Sequence, residues 1–419
     1  MSVPAVDVKP GGACRFCHAP LAHIVADLGV SPLCEAYVPA DRLSAEEPVY
    51  PLCAYVCDEC WLVQVPEHVP PESIFTEYAY FSSYSDSWLA HAAAYVDRMV
   101  PALALGPASL VVEVGSNDGY LLQYFVARGI PALGVEPARN VAAAAVRRGV
   151  TTITEMFGRR AAQALVLAGR RADLLIGNNV LAQVPDLDDF VGGLSLVLAP
   201  GGVLTLEFPH LLRLLEENQF DTIYHEHFSY FSLGTVERVL RAHGLAVFDV
   251  EELPTHGGSL RVHAQQAATG RSALSPRVAH LIDRERSAGL QTLERYTRFQ
   301  QQVRDTKEAL LAFLDGVRRA GRRVAGYGAP GKGNTLLNYC GIRADLVEYT
   351  VDRNPYKQGK YLPGSRIPIY APDHIRATRP DYLLILPWNL REEIMAQMAD
   401  IRAWGGQFVV PIPRVAVLP

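Results

Sequence analysis

The segment Tyr224–His227 has the sequence Tyr-His-Glu-His, which places four side chains capable of acid–base chemistry side by side. Histidine titrates near neutral pH, so one of the two rings could accept a proton, while Glu226 could orient that ring and Tyr224 could hydrogen-bond an oxyanion. Two histidines beside a carboxylate also suit a metal ion, but no third ligand with typical spacing follows nearby. A surface segment with no chemical role is the third alternative. We interpret the segment as an acid–base cluster.

Two Cys-x-x-Cys pairs lie in the first 60 residues, namely Cys14 with Cys17 and Cys57 with Cys60. Four thiolates complete a tetrahedral set without an open position, which is typical of structural zinc. The segments 22–28 and 50–55 between the pairs are strand-like and could form the sheet of a zinc ribbon. Cys34 and Cys53 lie outside the pairs, in apolar surroundings, and we interpret them as small core residues.

A glycine turn follows the apolar segment Leu110–Val114 and leads directly into a predicted helix. Gly115 permits a sharp turn, and Gly119 keeps the first helical turn open to a ligand. Glu136, about 20 residues after the glycines, ends a second strand and could accept hydrogen bonds from a ribose diol. The pattern predicts a nucleotide-like cofactor on this turn, and the alternative is an ordinary strand–turn–helix corner.

A second glycine loop occupies Gly326–Asn334, after the strand that begins at Arg323. It nearly matches a P-loop, but Gly333 stands where Ser or Thr must hold magnesium. It also matches the dinucleotide fingerprint, with Asp352 about 20 residues further on, so a nicotinamide-cofactor site is a second interpretation of the loop. The third reading is a cradle for the pyrophosphate of a nucleotide-activated substrate, with Lys332 and the more distant Lys357 and Lys360 as cations.

Three further segments carry polar side chains that could bind ligands. The cluster 75–88 is rich in tyrosine and hydroxyl groups, and it could line a sugar pocket or simply pack under the cofactor domain. The strand after Asp173 ends in Asn178 and Asn179, at the edge where open sheets bind ligands. The turn His256–Arg261 could present Arg261 to an anionic group, although an ordinary hairpin turn explains it as well.

Composition limits the class of protein. The chain has 419 residues with 49% hydrophobic content, which indicates several cores and about two to four domains. Lys and Arg total 39 against 44 for Asp and Glu, and no basic run is present, so nucleic acid is not an expected partner. Residues Met1–Asp7 show no leader pattern and no apolar run approaches a membrane span. We expect a cytoplasmic protein without a membrane partner, and a monomer.

Strands and helices alternate through the middle of the chain, which favours a parallel sheet covered by helices on both faces. The predicted strands are 110–114, 132–136, 151–153, 172–177 and 201–209, and the predicted helices are 87–100, 120–128, 141–148 and 159–168. Apolar residues at helical spacing between 275 and 321 predict a long amphipathic helix or a helix pair that separates two lobes. A helix over 336–340 and a strand over 382–387 are predicted in the last lobe.

Taken in order, the four cysteines, the tyrosine loop, Glu-x-Gly-x-x-x-Gly, Tyr-His-Glu-His, His-Gly-Gly-Ser-Leu-Arg and Gly-x-Gly-x-x-Gly-Lys-Gly-Asn resemble the three-domain sugar C-methyltransferases of deoxysugar and antibiotic biosynthesis. The resemblance covers nearly the whole chain. It implies an α/β protein with a class I methyltransferase (Rossmann-like) central domain, an N-terminal zinc-binding module and a second Rossmann-like C-terminal lobe. The implied activity is methyl transfer from S-adenosylmethionine to C3 of a nucleotide-linked 4-keto-6-deoxyhexose, of which a dTDP-sugar is the expected form.

The local motifs and the resemblance together give the expected domain boundaries and site residues. The resemblance itself implies the four zinc ligands, the cofactor contacts Gly115, Asn117, Gly119 and Glu136, and the reaction-site residues Tyr78, Tyr224, Glu226 and His227. The expected units are a zinc module (1–75), a linker loop and helix (76–105), the methyltransferase domain (106–274), a helical connector (275–320) and a nucleotide-sugar-binding lobe (321–419). Zinc is expected on Cys14, Cys17, Cys57 and Cys60. The expected catalytic residues are His227 as the base, Glu226, Tyr224, Tyr78 and Gln183. The expected cofactor site comprises Glu113, Gly115, Ser116, Asn117, Gly119, Tyr120, Glu136, Pro137, Asn178 and Asn179. The expected substrate site comprises Tyr80, Ser82, His256, Arg261, Gly328, Lys332, Asn334, Asp352, Lys357 and Lys360.

One position departs from the family pattern. Members usually have histidine in the loop after the fourth strand of the central domain, where this chain has Gln183. An amide can hydrogen-bond a ketone or hydroxyl but cannot carry a proton at neutral pH. The methylated carbon and the number of proton-handling steps therefore stay open. A nicotinamide-dependent sugar oxidoreductase that uses the Gly326 loop, a family member whose reaction has diverged, and a non-catalytic zinc-bearing scaffold are the alternatives.

Overall fold

The computed structural model of the protein describes residues 11–76, 78 and 80–419. Residues Met1–Asp7, on which the expectation of no leader rests, lie outside this part. The N-terminal region contains β1 (His23–Ser31), β2 (Val38–Pro39), β3 (Tyr50–Val56), β4 (Val63–Gln64), α1 (Pro71–Phe75) and α2 (Asp86–Ala102). Within the described residues no helix is both long enough and apolar enough to span a bilayer.

The central region alternates strand and helix as predicted. Its elements are β5 (Val111–Val114), α3 (Leu122–Val126), β6 (Ala132–Val135), α4 (Arg139–Arg147), β7 (Thr151–Ile153), α5 (Arg159–Leu167), β8 (Ala172–Asn178), α6 (Leu187–Val197), β9 (Leu198–Pro209), α7 (Leu211–Glu216), β10 (Ser229–Tyr230), α8 (Leu233–Ala242), β11 (Leu245–Leu253) and β12 (Ser259–Gln266). Two long helices follow, α9 (Pro276–Ser287) and α10 (Leu293–Arg319). Of the two alternatives predicted for this region, one long amphipathic helix or a helix pair, the structure has the helix pair.

The C-terminal region forms the second α/β lobe. Its elements are β13 (Val324–Tyr327), α11 (Gly331–Cys340), β14 (Thr350–Val351), β15 (Lys360–Tyr361), β16 (Ile369–Tyr370), α12 (Asp373–Thr378), β17 (Tyr382–Ile385), α13 (Arg391–Gln397), β18 (Gln407–Val410) and β19 (Ala416–Leu418). The six-stranded sheet has the order β16-β14-β13-β17-β18-β19 and is parallel except for β19. The predicted Rossmann-like arrangement is confirmed.

The central sheet has seven strands in the order β11-β12-β9-β8-β5-β6-β7. Strands β5 to β9 pair in parallel, whereas β12 lies antiparallel between β9 and β11. Helices cover both faces of the parallel part, so β5 is buried along its whole length and has an apolar sequence apart from Glu113. This is the class I methyltransferase arrangement that the sequence predicts, and it brings the carboxyl ends of β5, β6 and β8 together at one edge.

The zinc module is not an isolated unit. Its sheet has the order β1-β3-β4-β10, and β10 comes from the segment directly after the Tyr-His-Glu-His cluster. The module also shares one hydrophobic core with α7, α10 and the C-terminal sheet, through residues such as Leu52, Leu215, Phe299 and Leu384. The Tyr224–His227 segment is therefore held between the module, the central domain and the C-terminal lobe.

The helix predicted over 336–340 is longer in the structure, where α11 begins five residues earlier, at Gly331. Glycine lowers helix propensity, which is why the prediction begins after the glycines. Close packing decides the actual start: a Cβ atom on Gly331 would lie 2.8 Å from the Cys34 sulfur, and one on Gly333 would lie 3.0 Å from Leu386 Cβ. Small residues are needed where this first turn meets its neighbours.

Candidate active site and zinc centre

The four predicted zinc ligands meet in space. Their sulfur atoms all lie within 4.8 Å of one another, with Cys14 and Cys60 at 3.5 Å and Cys17 and Cys57 at 3.4 Å. Four sulfurs at this separation fit a tetrahedral ion with zinc–sulfur bonds of about 2.3 Å. Since all four positions are protein ligands, the zinc is structural, and it ties the turn before β1 to the turn after β3.

The predicted cofactor turn lies at the carboxyl edge of the central sheet. Asn117 N–H donates to Glu136 Oε2 and Ala138 N–H donates to Glu136 Oε1, each at 2.9 Å. Gly115 and Gly119 have φ of 69° and 77°, a region that glycine adopts without strain. The two amide bonds fix the direction of the carboxylate, and each oxygen keeps a lone pair that can accept a ribose hydroxyl.

Several buried polar atoms around this turn fit a bound polar ligand. Both carboxylate oxygens of Glu113, Ser116 Oγ, Asn178 Oδ1 and Asn179 Oδ1 are buried and have no hydrogen-bond partner among the described residues. Burial raises the pKa of Glu113 well above its ordinary value. Because buried polar atoms are normally paired, these residues fit S-adenosylmethionine, whose amino, carboxylate and ribose groups could supply partners. Tyr120 and Pro137 lie at the same edge, and Tyr120 O–H is 3.2 Å from Asn178 Nδ2.

We predict that Glu136→Ala raises the Kd for S-adenosylmethionine by roughly 10- to 100-fold, because hydrogen bonds to a charged group contribute about 1.5–3 kcal/mol. Isothermal titration calorimetry measures the Kd directly. Glu155→Ala is the matched control, since Glu155 forms a surface ion pair with the exposed Arg160. An unchanged Kd in Glu136→Ala would remove the residue from the cofactor site.

The tyrosine loop lies on the cofactor turn through its backbone. Ser82 N–H donates to Asn117 Oδ1 at 2.9 Å, and Asn117 Nδ2 donates to the Tyr80 carbonyl at 3.2 Å. Asn140, at the start of α4, bonds both the N–H and the carbonyl of Tyr78, at 3.1 and 2.7 Å. The loop is thus held by the elements that carry the predicted cofactor residues, and the Tyr78 side chain reaches from there to Glu226 in the Tyr224–His227 segment.

His227 is held as a neutral ring. Its Nδ1–H donates to the Thr222 carbonyl at 3.2 Å, which leaves Nε2 as the acceptor, and the Tyr224 hydroxyl lies 3.0 Å from Nε2. Removal from water lowers the pKa of His227 to about 3 and raises that of Tyr224 well above its ordinary value. At neutral pH the ring therefore has an unprotonated nitrogen that faces a protonated phenol.

Glu226 is fully enclosed between two donors. Tyr78 O–H donates to Oε2 at 2.9 Å and Cys34 S–H donates to Oε1 at 3.3 Å. Burial, and then the neighbouring negative charge of Glu35, raise the pKa of Glu226 to about 7. The carboxyl group can therefore exchange a proton near neutral pH.

The titration of Glu226 predicts a pH-dependent stability. The folded-state pKa of about 7 lies above the ordinary 4.5, so the folded protein keeps a proton that the unfolded chain releases between these values. The stability that the protonated acid contributes is lost as pH rises through 7. We expect Glu226→Gln, which cannot ionise, to gain Tm relative to the parent between pH 5 and pH 8. Glu294→Gln on the surface of α10 is the control, and a pH-independent difference for Glu226→Gln would contradict the prediction.

His225 and Gln183 have different surroundings. His225 Nε2 is bonded to the Pro51 carbonyl at 3.1 Å, and its ring packs edge-on against Tyr50, so it faces the zinc module. Gln183 ends the short helix Leu181–Gln183 after β8. Phe228 N–H donates to the Ala182 carbonyl at 2.7 Å, which places Gln183 next to the Tyr224–His227 segment.

The comparisons with known proteins match this arrangement. Three family profiles match successive parts of the chain: "Putative zinc binding domain" over residues 14–75, "Methyltransferase domain" over 88–250 and "C-methyltransferase C-terminal domain" over 254–413. The C-methyltransferase NovU of Streptomyces niveus is 38% identical over 411 residues, which are 98% of each chain. The chain belongs to this C-methyltransferase family. It is an S-adenosylmethionine-dependent C-methyltransferase with a structural zinc site.

Two solved structures also resemble part of the methyltransferase. Magnesium protoporphyrin IX methyltransferase from Synechocystis PCC 6803 is 17% identical and covers 43% of this chain and 81% of its own, with a TM-score of 0.32. A possible histamine N-methyltransferase from Thermotoga maritima is 18% identical and covers 44% of this chain and 94% of its own, with a TM-score of 0.33.

Arg261 and His256 lie beside the cofactor edge of the methyltransferase. Arg261 is buried and donates to Glu207 Oε2 at 2.6 Å, so its charge is compensated inside the central domain. The contacts do not support the expectation that Arg261 is available to an anionic ligand. His256 Nε2 lies 3.0 Å from Asn179 Nδ2, and its ring packs edge-on against Trp88. His256 thus remains a candidate for contact with the acceptor.

The second glycine loop is occupied by protein groups. Ala329 N–H donates to Asp352 Oδ2 at 2.7 Å, and Lys357 donates to the Ala329 carbonyl at 2.8 Å. Lys357 also lies 3.4 Å from Glu35 Oε2 of the zinc module. A Cβ atom on Gly331 would lie 3.4 Å from Glu35 Oε1, so this carboxylate already stands near the first turn of α11.

These contacts bear on the phosphate-binding expectation. A phosphate would compete with the resident Glu35 carboxylate for Lys357 and for the start of α11, so the expectation for Lys357 gains no support from its contacts. Gly328 has φ of 87° and forms the turn, while Asn334 donates to the Cys34 carbonyl at 2.6 Å. Lys360 lies 3.8 Å from the ring centre of Tyr356. The interpretation as a dinucleotide site loses support as well, because the Asp352 carboxylate that would bind a ribose accepts a hydrogen bond from Ala329 of the loop itself.

Four contributors to the site did not emerge from the sequence. Cys34 is a buried core residue as predicted, but it also contacts Glu226. Glu35, Asp221 and Trp388 are not among the predicted site residues. Two of them carry a signal in the sequence: Asp221 stands three residues before Tyr224, and Trp388 follows the predicted strand 382–387 at the carboxyl edge of its sheet.

Proposed function

We propose that the methyltransferase acts on the carbon beside the ketone of a nucleotide-linked 4-keto-6-deoxyhexose, at C3. The observation that carries the proposal is the position of Tyr78. Its backbone is bonded to Asn140 beside the cofactor turn, and its hydroxyl group is bonded to Glu226 in the catalytic segment. The methyl donor and an acid–base cluster are therefore expected to lie on the two sides of one tyrosine.

The residue types suit carbon methylation. S-adenosylmethionine, when bound, supplies an electrophilic methyl group. A carbon beside a ketone becomes a nucleophile when a base removes its proton and donors hold the enolate oxygen. In our proposal the Tyr224 hydroxyl first moves its hydrogen bond from His227 Nε2 to the ketone oxygen of the acceptor. Nε2 is then free to accept the proton from the carbon. The neutral ring is ready to accept a proton, and the negative charge on the enolate stabilises the imidazolium that forms.

Glu226 and Gln183 have supporting roles in the proposal. Glu226 exchanges a proton with the site near neutral pH and is held by Tyr78 and Cys34. Gln183 can donate a hydrogen bond to a sugar hydroxyl or ketone, but it cannot relay a proton. This position is therefore where we expect the enzyme to differ from relatives with histidine.

The test is to incubate the enzyme with labelled S-adenosylmethionine and a panel of dTDP- and GDP-linked 4-ketosugars. We expect label transfer to a 4-ketosugar, with NMR locating the new methyl group at C3. The matched 4-hydroxy sugar nucleotides are the control, because they lack the ketone. Methylation at C5, the other carbon beside the ketone, would overturn the assigned position and keep the reaction class. Transfer to none of the 4-ketosugars would overturn the proposal.

A further inference from the structure

A charged cluster lies where the C-terminal lobe meets the catalytic segment. Lys332 Nζ donates to Asn389 Oδ1 at 2.8 Å and lies 4.5 Å from the ring centre of Trp388. Trp388 Nε1–H donates to Asp221 Oδ2 at 2.7 Å. A Cβ atom on Gly257 would lie 2.6 Å from the Trp388 ring, so Trp388 packs closely against the turn that carries His256.

Asp221 is an unusual member of this cluster because it is completely buried. Its Oδ1 atom has no hydrogen-bond partner among the described residues. Burial raises the pKa of Asp221 to about 6, against the opposing effect of the Lys332 charge, and burial lowers the pKa of Lys332 to about 8. A buried anion and a partly enclosed cation thus stabilise each other at neutral pH.

Trp388, whose ring lies under Lys332, connects it with the segments of both His227 and His256: Trp388 bonds Asp221, which directly precedes the Thr222 carbonyl bonded to His227, and its ring packs against Gly257 beside His256. The positive charge of Lys332 adds to the effect of burial in lowering the pKa of His227 to about 3 and that of His256 to about 4. An ammonium group has three N–H donors. Asn389 accepts one of them, and the described residues provide no second hydrogen-bond acceptor, so two N–H groups are available to a ligand.

We propose that Lys332 is a further catalytic residue, whose ammonium group hydrogen-bonds the ketone oxygen of the acceptor and stabilises the enolate, instead of binding the acceptor's phosphates. This inference rests on the proposed function. The glycine-loop pattern assigns Lys332 to the phosphates of the acceptor. The inference instead places it where the carbon–hydrogen bond breaks.

The charges around Lys332 favour a ketone over a pyrophosphate. A pyrophosphate diester carries two negative charges, and binding it here would place them close to the buried Asp221 carboxylate. A ketone is neutral, and the enolate formed from it carries a single charge. Donors fixed in a partly enclosed site stabilise such a developing charge without reorganisation.

The carbon–hydrogen bond beside the ketone breaks, the proton moves to His227 Nε2, and the electron pair shifts to form the enolate, whose oxygen accepts an N–H from Lys332. When that electron pair forms the carbon–methyl bond, the ketone is restored, and the methyl–sulfur bond of the donor breaks with its electron pair left on the sulfur of S-adenosylhomocysteine. Lys332 keeps its proton throughout, so it acts as a hydrogen-bond donor and not as an acid.

The experiment measures proton removal apart from methyl transfer. Enzyme and dTDP-4-keto-6-deoxyglucose are incubated in D₂O without the methyl donor, and NMR follows deuterium uptake beside the ketone. For Lys332→Met we expect the saturated exchange rate and kcat to fall by about 10²- to 10³-fold, with KM for the sugar nucleotide within about threefold of the parent. Lys307→Met is the matched control. Lys307 also lies over an aromatic ring, 4.6 Å from the ring centre of Tyr339, and it donates to the Tyr339 carbonyl, so its contacts involve neither His227 nor His256.

The outcomes separate the two proposals. A raised KM with unchanged exchange at saturation would make Lys332 a phosphate ligand and overturn the inference. If the parent enzyme neither exchanges protons nor methylates any 4-ketosugar, the proposed function itself is wrong. Circular dichroism and binding of S-adenosylmethionine verify folding. Should Lys332→Met not fold, Lys332→Gln, which retains a donor towards Asn389, is judged by the same exchange and KM criteria.

Discussion

Replacing His227 by asparagine is expected to lower kcat for methyl transfer by about 10²- to 10⁴-fold, the usual contribution of a general base. The amide can still hydrogen-bond the Tyr224 hydroxyl group, so the surrounding packing is largely kept. It cannot accept a proton, and proton removal from the carbon should therefore fail. A radiolabel transfer assay measures kcat, and deuterium uptake without the methyl donor measures the proton step alone.

His225→Asn is the matched control for this prediction. The residue is two positions away in the same segment, but its ring bonds the Pro51 carbonyl and faces the zinc module. We expect the control to lose some thermal stability and to keep kcat within a few-fold of the parent. Normal methyl transfer by His227→Asn, with both ligands still bound, would show that another group removes the proton.

Replacing Cys57 by serine is expected to abolish stoichiometric zinc binding and to unfold the N-terminal sheet. Structural zinc contributes about 10–16 kcal/mol of binding free energy in small modules, which is comparable with the whole stability of a typical domain, about 5–15 kcal/mol. Because the module shares its core with α10 and the C-terminal lobe, we also expect a lower Tm for the rest of the chain and loss of methyl transfer. Metal analysis and calorimetry measure these effects.

Cys53→Ala is the control for the zinc prediction, because Cys53 is buried in β3 of the same sheet and lies outside the ligand set. It should retain zinc and most of the activity. Zinc retained at full stoichiometry in Cys57→Ser, with an unchanged Tm, would contradict a structural role for the site.

Local patterns in the sequence predicted the parallel part of the central sheet, and the family resemblance implied the Rossmann-like C-terminal lobe, but neither predicted the antiparallel strands β11 and β12. Alternating strands and helices predict the central sheet, because the apolar periodicity of each element records which of its faces is buried. Paired cysteines predict the zinc set, because two close thiolates at each end need little further information to meet on one ion. The glycine turn and the acid at Glu136 predict the cofactor edge for the same reason: each lies at the carboxyl end of one of two adjacent strands.

The sequence could not show which residues meet across the three lobes. Cys34 and Glu226 are in contact although 192 positions separate them, and Trp388 bonds Asp221 across 167 positions. The start of α11 at Gly331 also depends on Cys34, a neighbour from the zinc module. Propensity and periodicity describe the chain over one or two turns, whereas these contacts depend on how whole sheets pack. The sequence by itself thus determined the elements, the zinc set and the chemistry available, while the tertiary structure decided that Tyr78 bonds Glu226 and that Lys332 lies over the Trp388 ring, because long-range burial brings these side chains together.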